Sequence, residues 1–520
     1  MDNRVANNRY PTLKRRSIIA SLGAAGVGAL AGCLSGDGDD GAVFRIGGKW
    51  QLDSDPLDGG GFLRRTGVTE ALVKVDHDVN QVPGLATEWE WQDDNRWEFT
   101  LREGVTFHDG EPLDAAAAVK SLRRVADSAA FAEVPISAVE AADGRTVIVE
   151  TETPFAPLPA HLSRREAVLI SPNAIEPDGS ITEPISTGPF EIERFDPSSE
   201  LRAVRNDDYY GPQPEIEAVR YEVVQDDQTR RLKLENDEIE MARIIPNEMV
   251  SDLEEADGID VYTPEIPRIR FLAFDNKSEP FDDIRVRRAV HHAVDRAAIT
   301  ESVLAGVTDP AVAPFSPDVS DWGNPELDRE PYDLEHARSL LSEAGWTNGR
   351  EGDGIRTRDG DELAIELLTF DARSLPLVAE VLQDQLAAVG IDLEVTVMEY
   401  AAMVERAGQD AFDSYLTSWG TLYYSDPDRL TDMFHSEDAG LHHGYENERV
   451  DTLLEEAREL DDPDARQERY HEVQSLVLEE IPISVLTAYT NVVATTSEVE
   501  NYQPHPTWYT YGVDSITLEE

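Results

Sequence analysis

Along the chain, apolar and polar positions alternate in short runs that give way to helical spacing and back again. Residues 43 to 48 and 97 to 102 carry the two-residue period of half-buried strands, Trp97, Phe99 and Leu101 alternating with Glu98, Thr100 and Arg102. Asp114 stands as an N-cap before Ala115 to Val125, where Ala116, Val119, Leu122 and Val125 recur at helical spacing. The pattern predicts further strands at Thr146 to Glu150, Leu201 to Arg205, Val219 to Val224, Leu363 to Phe370 and Ile391 to Met398. It predicts helices at Gln228 to Leu234, Val286 to Leu304, Leu334 to Ala344, Ser374 to Val389 and Val450 to Leu460, with a long loop broken by Pro310, Pro314, Pro317 and Pro325. This alternation says α/β or α+β, and no short-period repeat of the solenoid kind runs through it.

The first residues have a different pattern. Lys14-Arg15-Arg16 precedes an apolar, Gly/Ala-rich run to Leu30, which has the form of a basic n-region and a signal-peptide h-region too short to span a bilayer. The paired arginines resemble a twin-arginine export signal. Leu30-Ala31-Gly32-Cys33 resembles a lipobox, in which the cysteine carries the lipid. Residues 1–32 are thus expected to be a signal peptide, Cys33 a lipid anchor and residues 33–42 a flexible Asp/Gly tether, which lacks the spaced ligands of a calcium loop. Cys33 is the only cysteine, so an internal disulfide framework and a multi-cysteine zinc site are excluded.

Charge narrows the function classes. The 520 residues hold 45 Lys plus Arg against 104 Asp plus Glu, a net charge of −59. Nucleic acid is excluded as a partner, because such binding begins with cations releasing phosphate counterions. The acid is spread among regularly spaced apolar residues, which speaks for a folded chain of two to four packed units rather than a disordered one. Lysine occurs only at positions 14, 49, 74, 120, 233 and 277. A carboxylate-rich, lysine-poor surface suits molar salt, where screening removes the self-repulsion, and points to an extreme halophile.

Enzyme signatures are absent: no phosphate-binding loop, dinucleotide fingerprint, H-E-x-x-H or G-x-S-x-G occurs. Read as one helix, 286 to 304 places His291 and Asp295 a turn apart, a weak metal-ligand pair. His435, His442 and His443, with Glu437 or Asp438 nearby, form the densest histidine group and a weak metal candidate. They support the rival class, a secreted metallohydrolase.

Several segments in a specific order resemble the family 5 extracellular solute-binding proteins, which deliver peptides, nickel complexes and related solutes to ATP-binding-cassette importers. They include WEFTLREGVTFHDG at 97 to 110, Ser186-Thr187-Gly188-Pro189-Phe190, LAFDN at 272 to 276, PFDDIRVRRAV at 280 to 290 and LLSEAGW at 340 to 346. The resemblance implies an α/β fold, a two-lobed periplasmic-binding-protein-like clamp of class II with an extra α+β subdomain. By analogy lobe I comprises 43–71, 185–269 and 488–520, the extra subdomain 72–184 and lobe II 270–487, with hinge segments near 269 to 276 and 484 to 490. It further implies a non-enzymatic, monomeric receptor that needs no cofactor, is lipid-anchored outside the cell and serves ABC permease subunits.

The nickel-binding members of the family offer the nearest likeness, through Glu111-Pro112-Leu113-Asp114-Ala115 and Ser163-Arg164-Arg165-Glu166. That likeness makes Arg165 a candidate for carboxylate recognition by an always-charged planar fork, and Trp419 and Tyr423 pocket aromatics. Phe131 falls where those members carry a tryptophan. A short peptide or peptide-like solute and a nickel chelate are the two closest ligand classes, and sugars are also left open.

Overall fold

A computed structural model describes residues 42–59, 61–93, 95–317, 319–347, 354–420 and 425–519. The expected signal peptide and Cys33 lie outside them, as does Tyr423.

Three sheets organise the described residues. A mixed seven-stranded sheet runs in the order Ile259–Tyr262, Val493–Thr496, Met241–Arg243, Val43–Gly48, Ala218–Val223, Glu200–Arg205, Phe190–Asp196. A mixed five-stranded sheet runs Asp392–Met398, Ala364–Phe370, Ser414–Gly420, Glu265–Phe274, Ile483–Thr490. A four-stranded antiparallel sheet, Ala86–Asp93, Arg96–Leu101, Thr146–Thr151 and Ile136–Ala141, carries helix Ala115–Ala126. Each sheet has its own apolar core: the five-stranded sheet packs on residues between 269 and 486, the four-stranded one on residues between 72 and 169, and the seven-stranded one on residues from 44 to 68, 190 to 241 and 493 to 516. These three sheets, each with its own core, are the bodies of the fold.

The local rules are visible in these elements. Trp97, Phe99 and Leu101 are buried while Arg96, Glu98 and Thr100 are half-buried, as the alternation requires. Asp114 caps its helix by accepting the Ala117 N–H at 2.9 Å, and Ala115, Ala118, Val119, Leu122 and Val125 face inward, although Ala116 is exposed. The single helix expected at 286 to 304 is two, Ile284–Ala293 and Arg296–Ser302. Val294 is extended and the Asp295 carboxylate caps the second helix through the Ala298 N–H at 3.0 Å, so a competing side-chain acceptor breaks a continuous apolar pattern. That break corrects the His291–Asp295 pair. His291 is buried, with Nδ1 at 3.0 Å from Ser484 Oγ and 2.9 Å from the Arg296 guanidinium, which holds it in the core.

The chain passes between the seven- and five-stranded sheets twice. Strand Ile259–Tyr262 is followed by Glu265–Phe274, and Ile483–Thr490 by Val493–Thr496. The linking pieces touch, the Asn491 N–H donating to the Pro264 carbonyl at 3.0 Å. The expected hinge segments at 269 to 276 and 484 to 490 overlap paired strands of the five-stranded sheet, so their backbone is held in a ladder; the crossings sit at 263–264 and 491–492 instead.

Candidate functional site

Three strands of the five-stranded sheet, Ala364–Phe370, Asp392–Met398 and Ser414–Gly420, run parallel and end on the same side. In open α/β sheets the carboxyl ends of parallel strands are where backbone loops diverge and leave a crevice. Here they open on a cavity of about 820 Å³. Phe370 to Arg373, Met398 to Tyr400 and Thr417 to Trp419 line it from these ends, Trp50 reaches it from the segment after strand Val43–Gly48, and Arg165 from the four-stranded body. The cavity is therefore built by all three bodies.

Local features fix its walls. Trp419 is followed by Gly420, where a Cβ would come within 2.1 Å of the Pro267 carbonyl, so only glycine lets the strand pass beside its neighbour. The Trp419 ring lies under the Arg429 guanidinium at 4.1 Å, and Arg429 is paired with Asp432. Arg373 and Ser374 both take left-handed conformations, with φ of 58° and 60°. Buried Arg270, pushed down to about 10 by burial, donates to the Arg373 carbonyl at 3.4 Å and to Thr487 and Ala488, tying that strained turn to the sheet. Arg165 Nε is 2.7 Å from Glu166 Oε1; burial would raise the Glu166 carboxyl, but Arg165 and Arg164 hold it below the usual range.

The sequence candidates separate here. Arg165, Trp419 and His442 line the cavity. Phe131 does not: it is 1% exposed in the core of the four-stranded body, with the Arg164 guanidinium 4.6 Å over its ring. The three histidines do not converge. His435 Nδ1 accepts the N–H groups of Glu437 and Asp438, closing a turn, and His443 is buried with Nε2 2.6 Å from the Met433 carbonyl and Nδ1 accepting the Tyr445 N–H. Among the described residues no group of three or more His, Cys, Asp or Glu is placed to hold a metal ion, which removes the ligand set of the metallohydrolase reading. Sequence reasoning missed Arg268, Arg373, Trp50, Phe370 and the helix Tyr400–Ala407. The signal that was available was Arg268 and Arg270 at a two-residue interval inside the apolar run of strand Glu265–Phe274.

A buried charged junction forms around Asp428, the residue before the Arg429 that covers Trp419. Asp428, buried beside helix Arg429–Phe434, receives Arg458 Nε at 2.6 Å and Nη2 at 3.1 Å from its own body and His161 Nε2 at 3.1 Å from the four-stranded body. The Ala156 N–H donates to the Arg458 carbonyl at 2.7 Å, and Arg458 covers the Phe155 ring. The junction thus joins the body that carries Arg165 to the body that carries Trp419.

The chain matches the family described as bacterial extracellular solute-binding proteins, family 5 (middle), over residues 80–440. It belongs to that family. Among curated family relatives it is 28% identical over 431 residues to the glutathione-binding protein GsiB of Shigella flexneri serotype 5b, covering 79% of this chain and 82% of the relative. It is 27% identical over 345 residues to the oligopeptide-binding protein AppA of Bacillus subtilis, covering 65% and 62%. Among solved structures it resembles NikA from Brucella suis in complex with Fe(III)-EDTA, with a TM-score of 0.83, 26% identity and coverage of 91% and 100%. The fold of Bacillus subtilis AppA in complex with a nonapeptide is also similar, with a TM-score of 0.77 at 23% identity, covering 92% and 99%. The expected α/β two-lobed clamp is thus the family's fold. No described helix is long and apolar enough to cross a membrane.

Two buried histidines of this fold titrate in an informative window. Burial pushes His443 and His505 down to about 4 from the ordinary 6.5. The unfolded chain takes up these protons as pH falls below 6.5 while the folded chain refuses them, so the stability they hold is complete above 6.5 and lost as pH falls toward 4. The expected loss is up to about 3 kcal/mol for each histidine. Urea unfolding at a series of pH values checks it: decline should begin near pH 6.5 and shrink in His443→Gln, whereas a profile flat down to about pH 5 contradicts it.

Proposed function

We propose that this protein is the solute-capturing component of an ATP-binding-cassette importer, closing on a short peptide or peptide-like solute and presenting it to the permease. The observation that supports this reading is the cavity itself, with Arg165 contributed by one body and Trp419 by another. A ligand that touches both is held fully only when the bodies close, so binding biases an open–closed equilibrium toward the form a permease recognises. The seven-stranded body serves as lobe I, the five-stranded body as lobe II and residues 72–184 as the extra subdomain, with the hinge at the crossings.

A nickel chelate is the second reading. Arg165 and His442 in one cavity favour it, as does the likeness to a relative solved with Fe(III)-EDTA. Tryptophan fluorescence and melting temperature in molar KCl, with short peptides and with nickel plus or minus histidine, separate the two, because a ligand bound only by the folded form stabilises it. Arg165→Ala should weaken an anionic ligand by about 2 to 5 kcal/mol. Unchanged affinity in both Arg165→Ala and Trp419→Ala places the site elsewhere.

The reading includes twin-arginine export, a lipid on Cys33, a monomer and life in molar salt. Cys33→Ser should move the protein from the membrane fraction to the medium or to an uncleaved precursor; processing and retention like the parent's contradicts the anchor.

A further inference from the structure

The buried junction at Asp428 is built so that it can come apart. Arg164 Nη1 lies 3.4 Å from His161 Nδ1; because a guanidinium can only donate, Nδ1 accepts, and the ring's Nε2 donates to Asp428 at 3.1 Å. A neutral N–H therefore crosses there from the four-stranded to the five-stranded body. Beside it, the Ala156 N–H donates to the Arg458 carbonyl at 2.7 Å and the Arg458 guanidinium lies 5.4 Å from the Phe155 ring centre. The full charges are balanced within each body: Arg164 pairs with Glu133 on one side and Arg458 with Asp428 on the other. Parting the two bodies leaves neither side with a charge that has lost its partner, the cost that makes a buried ion pair hard to break.

The four-stranded body itself is fixed to the seven-stranded one. Ala71 and Val168 form an antiparallel bridge, and the Leu169 N–H donates to the Glu70 carbonyl at 2.8 Å. Ser186 Oγ donates to the Leu169 carbonyl at 2.6 Å, Ser54 Oγ to the Ile181 carbonyl at 3.0 Å, and Arg124 pairs with Asp55. The chain passes from the seven-stranded to the five-stranded body at 263–264 and back at 491–492. A hinge at those crossings swings the five-stranded body against the other two, which puts the Asp428 junction on the surface where they part.

We propose that the Asp428 junction is a latch: the bonds from His161 and Ala156 form as the clamp shuts, part as it opens, and bias the solute-free protein toward the closed form. The proposal rests on the solute-capture reading and adds to it a contact made by residues that do not line the cavity. Apparent affinity scales with the population of the binding-competent form, so the latch raises affinity for every solute by one common factor. A residue that touches the solute instead changes affinity by a factor that differs from one solute to the next.

The test measures a distance across the junction. Spin labels are placed at two exposed positions, Glu140→Cys in the four-stranded body and Glu468→Cys in the five-stranded one, in the Cys33→Ser full chain in molar KCl. His161→Phe keeps a ring beside Phe131 and Phe155 and removes the N–H; His161→Gln keeps an N–H that can reach Asp428. A melting temperature shows that each variant is folded, and His161→Leu replaces the phenylalanine variant if that one is not. Without solute, the parent should show the short distance as its main population, His161→Phe should move most of it to a longer one, and His161→Gln should return toward the parent. Titration with trialanine and with nickel bis-histidine gives a second readout: each probe that binds the parent should bind His161→Phe roughly tenfold more weakly, by the same factor. The distances decide where neither probe binds. The latch is overturned by a parent that is open without solute, by a His161→Phe variant that matches the parent in distance and affinity, by a His161→Gln variant as open as His161→Phe, or by unequal losses for the two probes. In any of these cases a parent that closes on a probe leaves solute capture standing, whereas a distance that no probe and neither variant changes counts against both.

Discussion

Asp428→Ala is expected to lower the unfolding free energy by about 3 to 5 kcal/mol, among the largest losses available to a single substitution in this chain. The carboxylate is 2% exposed and receives two hydrogen bonds from Arg458, one from His161 and a longer one, at 3.3 Å, from Thr431. Burial alone would raise its carboxyl, but Arg458 and His161 hold it well below the usual carboxylate range. Removing it leaves the Arg458 guanidinium without its closest counter-charge and breaks the His161 bond between the four-stranded and five-stranded bodies, while the Ala156 N–H bond to the Arg458 carbonyl still joins them. The stabilisation is present above the ordinary carboxylate pKa and lost as pH falls below it, so the variant should differ from the parent at neutral pH and converge with it in strong acid. Urea unfolding in molar KCl gives the number. Asp428→Asn, which keeps shape and loses charge, should fall between the two. A loss under about 1 kcal/mol in the alanine variant would mean that water reaches the junction and screens it as at a surface.

What could be read from the sequence follows from where each element's polar groups go. Helix Ala115–Ala126 and strand Arg96–Leu101 have one face on a core and one in water, so their periods are visible. Strands Glu265–Phe274 and Ile483–Thr490 are buried on both faces, show no alternation and were not predicted; of the first only LAFDN at 272 to 276 stood out, as a resemblance to relatives. Helix Pro463–Glu480, the longest described, escaped notice because its buried face includes Arg466, Tyr470 and Gln474, with Arg466 clasping buried Asp426 through two bonds of 2.9 Å. The Asp462 cap and Pro463 at the first helical position were the local signal for it. At the site, Arg165 and Trp419 were reached by resemblance, whereas Arg373 was not, because an isolated arginine does not announce which cavity it faces, and Arg268 was signalled only by its spacing from Arg270 inside an apolar run. The stripe of Tyr400, Met403 and Val404 has the spacing of a core face, and only the fold shows that Tyr400 and Val404 are exposed. Phe131 fails in the opposite direction, a ring expected at the ligand that packs inside its own body.

Transfer from molar to about 0.1 M salt is expected to unfold or strongly destabilise the protein, because the net charge of −59 then acts over longer distances. Screening reaches about 10 Å at 0.1 M and about 3 Å at 1 M, so neighbouring surface carboxylates repel one another in the first condition and are nearly independent in the second. The unfolded chain spreads the same charges apart and is penalised less, which makes stability rise with salt. The buried pairs do not supply this dependence: Asp426 with Arg466 and Asp428 with Arg458 are shielded from ions by the fold. Exposed acids close together in the chain, such as Glu254, Glu255 and Asp257, are the groups that respond. Thermal unfolding in a KCl series should therefore show the melting temperature climbing steeply at low salt and levelling once screening is complete. Sodium chloride at equal ionic strength should give the same curve if charge screening is the cause, and sulfate should add a further rise by strengthening apolar burial. A melting temperature that is flat between about 0.1 and 2 M KCl would show that the acidic surface is not the term that sets stability.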